Sequence, residues 1–143
     1  MTTLTGRCLC GAVTYRITAE PVAARICWCR DCQHIASNGT ANIIVPAESL
    51  EVSGALTEFH STADSGNHMV RKFCPACGSH LFATSSGRPH LVVVRAGTLD
   101  DTSTVHPTAN IWCASAPGWA QMDSRLEKVD RQPAPPAKPA PKA

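Results

Sequence analysis

The stretch "GAVTYRIT" at residues 11–18 alternates apolar and polar positions. Val13, Tyr15 and Ile17 fall on one side of it, which predicts a strand with one buried face. Further β-rich runs follow as "TANIIVP", "SLEVSG" and "LTEFHST", set off by the Asn38-Gly39 turn signal, Pro46 and Ser53-Gly54. "HMVRKF", "HLFATS", "HLVVVRAG" and "ANIWC" continue the series, punctuated by Gly87, Pro89, Gly97 and Pro107. Strands of about five residues at near-regular intervals predict an all-β sandwich or barrel-like fold rather than βαβ units. No long helical period occurs, and "APGWAQMDSRLEKV" is the one segment with helix potential. From Arg131 the chain reads "RQPAPPAKPAPKA", where Pro and Ala dominate and nothing can anchor a core. The expected organisation is one domain over residues 1–130 and a disordered tail over 131–143.

Composition adds exclusions. A hydrophobic content of 43% with only 5% aromatics predicts a core filled by Val, Ile, Leu and Ala. The net charge of +2, part of it in Arg131, Lys138 and Lys142 of the tail, is too mild for a nucleic-acid partner. The amino terminus has no basic flank before an apolar run, and no stretch is apolar over a membrane-spanning length. The expectation is a cytoplasmic protein without a membrane partner. In a reducing compartment eight cysteines are rarely disulfides, so their tight spacing points to metal or redox chemistry.

Seven cysteines form three clusters: Cys8-x-Cys10, Cys27-x-Cys29-x-x-Cys32 and Cys74-x-x-Cys77, with Cys113 alone. "CPACGSH" has the form of a zinc knuckle, two thiolates around a tight turn with Gly78 where backbone amides approach sulfur. A tetrahedral zinc needs a second pair from elsewhere, and two pairings are open. In one, Cys8 and Cys10 join Cys74 and Cys77, leaving Cys27, Cys29 and Cys32 as a three-thiolate set. In the other, Cys29 and Cys32 join Cys74 and Cys77, although the 41 residues between those knuckles exceed what common zinc ribbons use. The first pairing gives one closed site and one with a vacant position, the mark of a catalytic zinc, unless Cys113, His34, His80 or His106 fills it. Three thiolates around Zn²⁺ leave a net charge of −1, which suits holding a substrate thiolate beside an electrophile better than hydrolysis.

"GRCLCGAVTYRI", "CWCRDCQHIASNG", "VRKFCPACGSHLF" and "VVRAGTLDD", in that order, resemble the glutathione-dependent formaldehyde-activating family, also called the CENP-V/GFA domain. The resemblance runs from about Gly6 to Trp119. It implies an Mss4-like β fold of short antiparallel strands and two zinc ions per chain. The structural one is held at Cys8, Cys10, Cys74 and Cys77, the catalytic one at Cys27, Cys29 and Cys32. It implies carbon–sulfur lyase chemistry, the reversible joining of glutathione and formaldehyde, with small thiols and aldehydes as the partners.

Several neighbours of these motifs carry expectations. His34, where the family often has a basic residue, is a candidate proton shuttle or an exposed histidine without duty. Arg30 and Arg71 are candidates for glutathione carboxylates, or charge pairs with neighbours such as Asp31. Trp28 replaces a small or polar family residue; it either makes the lip of the site apolar or packs beneath the knuckle. His80 reads as an ordinary strand residue, and Cys113 beside Trp112 as a small buried cysteine ending a strand. The alternatives to an enzyme are a non-catalytic zinc-stabilised interaction module, with the Pro-rich tail as its docking segment, and a Cys29-x-x-Cys32 redox protein. Access to the second metal separates them, because an enzyme needs it open and a scaffold closed.

Overall fold

The structure is a computed structural model that describes residues 3–136. Among these, eleven strands and one α-helix occur in the order β1 (Leu4–Arg7), β2 (Thr14–Ile17), β3 (Ala23–Cys27), α1 (Arg30–Ala36), β4 (Thr40–Pro46), β5 (Leu50–Ser53) and β6 (Thr57–Thr62), then β7 (His68–Phe73), β8 (His80–Ser85), β9 (Leu91–Arg95), β10 (Ala109–Ile111) and β11 (Glu127–Lys128). Strands β1, β2 and β5 form a small sheet, and the other eight a second sheet ordered β11-β10-β3-β4-β9-β8-β7-β6. The fold is all-β. Its pairings are antiparallel except that β10 runs parallel to both β3 and β11.

The small sheet lays Val13, Tyr15 and Ile17 against one face of the large sheet, where Ile43, Val45, Phe82, Val92 and Val94 complete the core. The opposite face of the same strands carries Asn42, Ile44, Val93 and Arg95, which line a cavity. The runs "NIIV" and "LVVV" are therefore buried on both faces, which is why they read as continuous apolar stretches rather than alternating ones. Burying each Val or Ile of the core contributes roughly 1.5–3 kcal/mol.

Helix α1 spans seven residues, too few to be stable alone. Cys29 caps it, its sulfur accepting from the Cys32 N–H at 3.3 Å. Ser37, in the left-handed conformation with φ 58°, ends it by donating its N–H to the Gln33 carbonyl at 2.7 Å. Buried Gln33 fixes the helix to its surroundings, donating to the carbonyls of Trp28 at 2.7 Å and Ser115 at 3.0 Å.

Two expectations need correction. The segment "APGWAQMDSRLEKV" forms no helix: Pro117 heads one turn, Asp123 accepts from the Arg125 N–H in another, and the run ends in β11. Contacts also continue past the expected domain boundary at residue 130. The Trp112 N–H donates to the Arg131 carbonyl at 3.2 Å and the Trp112 indole N–H to Gln132 Oε1 at 3.0 Å. The remainder of the expected tail, residues 137–143, lies outside the described residues.

Candidate metal centres and the cavity beside them

Two loops bring the first sulfur cluster together. After β1, Gly11 (φ 81°) turns the chain so that the Cys8 N–H reaches the Val13 carbonyl at 3.0 Å and the Val13 N–H reaches Cys8 Sγ at 3.3 Å. After β7, the Gly78 N–H donates to the Cys74 carbonyl at 2.9 Å. Cys8, Cys10, Cys74 and Cys77 thereby place their sulfurs within 4.8 Å of one another. The Cys8–Cys10 and Cys10–Cys74 separations are 3.6 and 3.7 Å. A zinc–sulfur bond of about 2.3 Å gives a tetrahedron with edges of about 3.8 Å, so this cluster fits a four-thiolate zinc. The Ser79 hydroxyl, 3.2 Å from Cys77, together with backbone amides, draws the Cys77 thiol down to about 5, as a metal ligand requires.

The second cluster sits where β3 passes into α1. Cys27, Cys29 and Cys32 gather their sulfurs within 4.8 Å. Of the two pairings open in the sequence, the structure builds the first. Cys32 is drawn down to about 2 by the Cys27 and Cys29 thiols, then by the Thr40 hydroxyl and the Arg95 charge, against the effect of burial. Cys27 is pushed far up by its bonds to Cys29 and Cys32 and by burial. Three sulfur donors crowded this closely are what a soft cation would complete. Among the described residues no fourth His, Cys, Asp or Glu joins this set. Cys113 instead donates to the Asn110 carbonyl at 3.3 Å, His106 is exposed, and His80 stacks on Phe73 at 5.1 Å.

The triad lines a cavity of about 390 Å³ on the face of the large sheet away from the core. Ile44, Val93, Ala83 and Met69 make its floor, and Trp112, Pro133 and Pro135 stand at its rim. Trp112 adopts φ 57°, a left-handed conformation rare for a bulky residue, and the bonds to Arg131 and Gln132 hold it there. Five arginines face the same space: Arg25, Arg30, Arg71, Arg88 and Arg95. Arg95 is buried and donates to Thr40 Oγ1 at 3.2 Å and Asn42 Oδ1 at 2.7 Å, so one hydroxyl separates it from Cys32.

The family described as glutathione-dependent formaldehyde-activating enzyme matches residues 3–115. A Halomonas elongata protein provisionally named glutathione-dependent formaldehyde-activating enzyme is 30% identical over 129 residues, covering 85% of this chain and 82% of its own. The chain belongs to the glutathione-dependent formaldehyde-activating family. A crystal structure of a Rhodobacter sphaeroides protein shares the fold with a TM-score of 0.56 and 24% identity, covering 67% of this chain and 87% of its own.

Against that family background the expected residues fall in different places. Arg71 is buried, donates to Ser61 at 3.0 Å and pairs with Asp31 at 3.3 Å. Arg30 lies at the cavity edge, bonded to Gln33 Oε1 at 2.7 Å. His34 is a correction: it is exposed and does not line the cavity. On a helix, two residues after Cys32 is nearly the opposite face, so the His34 side chain is directed away from the Cys32 sulfur. Trp28 takes the second of its two expected roles, buried under α1 with its indole N–H donating to Asn110 Oδ1 at 3.0 Å. Gly39 admits it, since a Cβ there would lie 2.8 Å from the ring. Arg25, Arg88, Arg95, Thr40 and Gln33 were not anticipated. The signal for Arg95 and Arg25 was present: a charge inside an apolar strand run, and a charge two residues before Cys27 on the same strand face.

Proposed function

We propose that this chain is a zinc enzyme of the carbon–sulfur lyase class that reversibly joins glutathione, or a similar thiol, to formaldehyde or another small aldehyde. The observation that carries this reading is the contrast between the two cysteine clusters: four sulfurs lie close enough together to surround one metal ion, while three face a roomy cavity. Family membership and the name given to the Halomonas elongata relative support it.

Zinc at Cys27, Cys29 and Cys32 would stabilise the substrate sulfur as a thiolate and polarise the aldehyde oxygen. The remaining work belongs to the chain. Arg95, one hydroxyl from Cys32, offsets the negative charge that three thiolates bring. The apolar floor and the Trp112 rim hold thiol and aldehyde side by side and limit competing water. In the joining direction a sulfur–carbon bond forms while the carbonyl π pair moves to oxygen, which takes up the proton the thiol released; cleavage reverses each movement.

Elemental analysis of the untagged chain is expected to give two zincs, and Cys29→Ser one, with the melting temperature held within about 5 °C. Cys29→Ser should also slow exchange between glutathione and its hydroxymethyl adduct, followed by exchange NMR, at least about a hundredfold toward the spontaneous rate. Cys74→Ser should lose both zinc and fold. Undiminished catalysis in Cys29→Ser, or equal unfolding of the two variants, would sink this reading.

A further inference from the structure

Charge is unevenly matched around the cavity. Against five arginines the lining holds two carboxylates, Asp31 and Asp64. Arg71 is answered by Asp31. Arg95 adjoins the cysteine triad through Thr40, and Arg30 is exposed and bonded to Gln33. Arg25 and Arg88 remain. Among the described residues neither forms an ion pair, and Arg25 Nη1 is buried with no partner. Both line the same cavity, and exposed Glu127, across Ala109 from Arg25 in the sheet register, forms no ion pair with it. Two like charges, both partly withdrawn from water and facing one cavity, are unfavourable until an anion joins them.

The sheet register sets how far this pair lies from the triad. Cys27 pairs with Thr40, Arg25 with Asn42, and Asn42 with Arg95. The next row on the same face is Ile44, Val93 and Ala83. Such rows are about 7 Å apart. Arg25 therefore starts one row from Cys27, and Arg88 lies in the turn between β8 and β9, past the apolar row. A ligand with its sulfur at the triad reaches this pair only if its carboxylate is carried at least one extended residue away, about 3.5 Å of chain beyond what a mercapto acid supplies.

We infer that Arg25 and Arg88 form a carboxylate clamp that selects a peptide-sized thiol acid over a short one. The inference rests on the proposed use of the triad for a substrate thiol. It differs from the sequence expectation, which placed carboxylate binding on Arg30 and Arg71.

The test uses the full, zinc-loaded chain and an inert probe, S-methylglutathione, compared by titration calorimetry with its dimethyl ester and with S-methylthioglycolate. The acid is expected to bind at least about tenfold tighter than either. Arg88→Gln and Arg25→Gln should each shrink the acid-to-diester ratio to about threefold or less, with Arg88→Lys keeping part of it. On the unaltered chain, raising ionic strength should weaken the acid but not the diester, whose one remaining charge is its ammonium group. A ratio that survives both glutamine variants, or thioglycolate binding as tightly as the peptide, overturns the clamp. Arginine-dependent binding without thiol–aldehyde turnover would retain the clamp and discard the proposed reaction. Turnover with a ratio indifferent to both arginines would do the reverse.

Discussion

Tyr15 links the core to the corner that carries Arg95. Its ring meets Phe82 edge-on at 5.2 Å, and its hydroxyl lies 2.7 Å from Thr98 Oγ1. Thr98 spends its own proton on the Arg95 carbonyl at 2.8 Å, so Tyr15 is the donor of the pair. The fit leaves no slack: a Cβ on Gly6 would stand 2.3 Å from the ring. Burial pushes the phenol up to about 12, against roughly 10 in an unfolded chain. Between those values the unfolded chain has lost a proton that the folded one keeps, so stability falls as pH rises through that window, by about 2–3 kcal/mol, and is fully present below it. Tyr15→Phe should lack this alkaline loss while giving up about 1 kcal/mol at neutral pH. Denaturant unfolding of both proteins from pH 8 to 12 checks it, and parallel stability curves would contradict it.

At the scale of elements, α1 presents the triad through Gln33, whose amide donates to the carbonyls of both Trp28 and Ser115. Gln33→Ala should destabilise the fold by roughly 1–3 kcal/mol. It should also speed zinc loss from the triad relative to the four-cysteine cluster, followed with a chromogenic chelator. Equal release rates in the variant and the unaltered chain would show that Gln33 does not position the triad. The same elements show what could be read beforehand. Strands with a solvated or core-facing alternation, such as the one carrying Val13, Tyr15 and Ile17, were legible because one face is buried in hydrocarbon. Strand β3, "AARIC", was not, because its inner face meets a polar cavity and so carries Arg25 where a core strand would carry Val. Helix α1 is too short for its period to show, and its cap is a cysteine rather than Ser or Asp. The ligand clusters themselves were visible in spacing and resemblance, as were Arg30 and Arg71 beside them; the grouping of Arg25, Arg95 and Thr40 was not, since only the register of β3, β4 and β9 brings these three together.

For the molecule as a whole, the two cysteine clusters hold different amounts of structure. The four-cysteine cluster ties the loop after β1 to the loop after β7, joining the small sheet to the far half of the large one. Cys8 and Cys74 are themselves core residues, 1% and 0% exposed. The triad closes only the short passage from β3 to α1 and opens on the cavity. A metal there would be reached by solutes and, among the described residues, would have no fourth His, Cys, Asp or Glu ligand, so it should exchange first. Stepwise addition of a strong chelator is expected to release one zinc per chain early with the melting temperature lowered by no more than about 5 °C. The second zinc should leave slowly and together with loss of cooperative unfolding, because its binding free energy is also folding free energy. Chromogenic zinc release recorded beside thermal melts at each step decides the order. Release of both zincs in one phase, concurrent with unfolding, would mean that the triad is as much a part of the framework as the four-cysteine cluster.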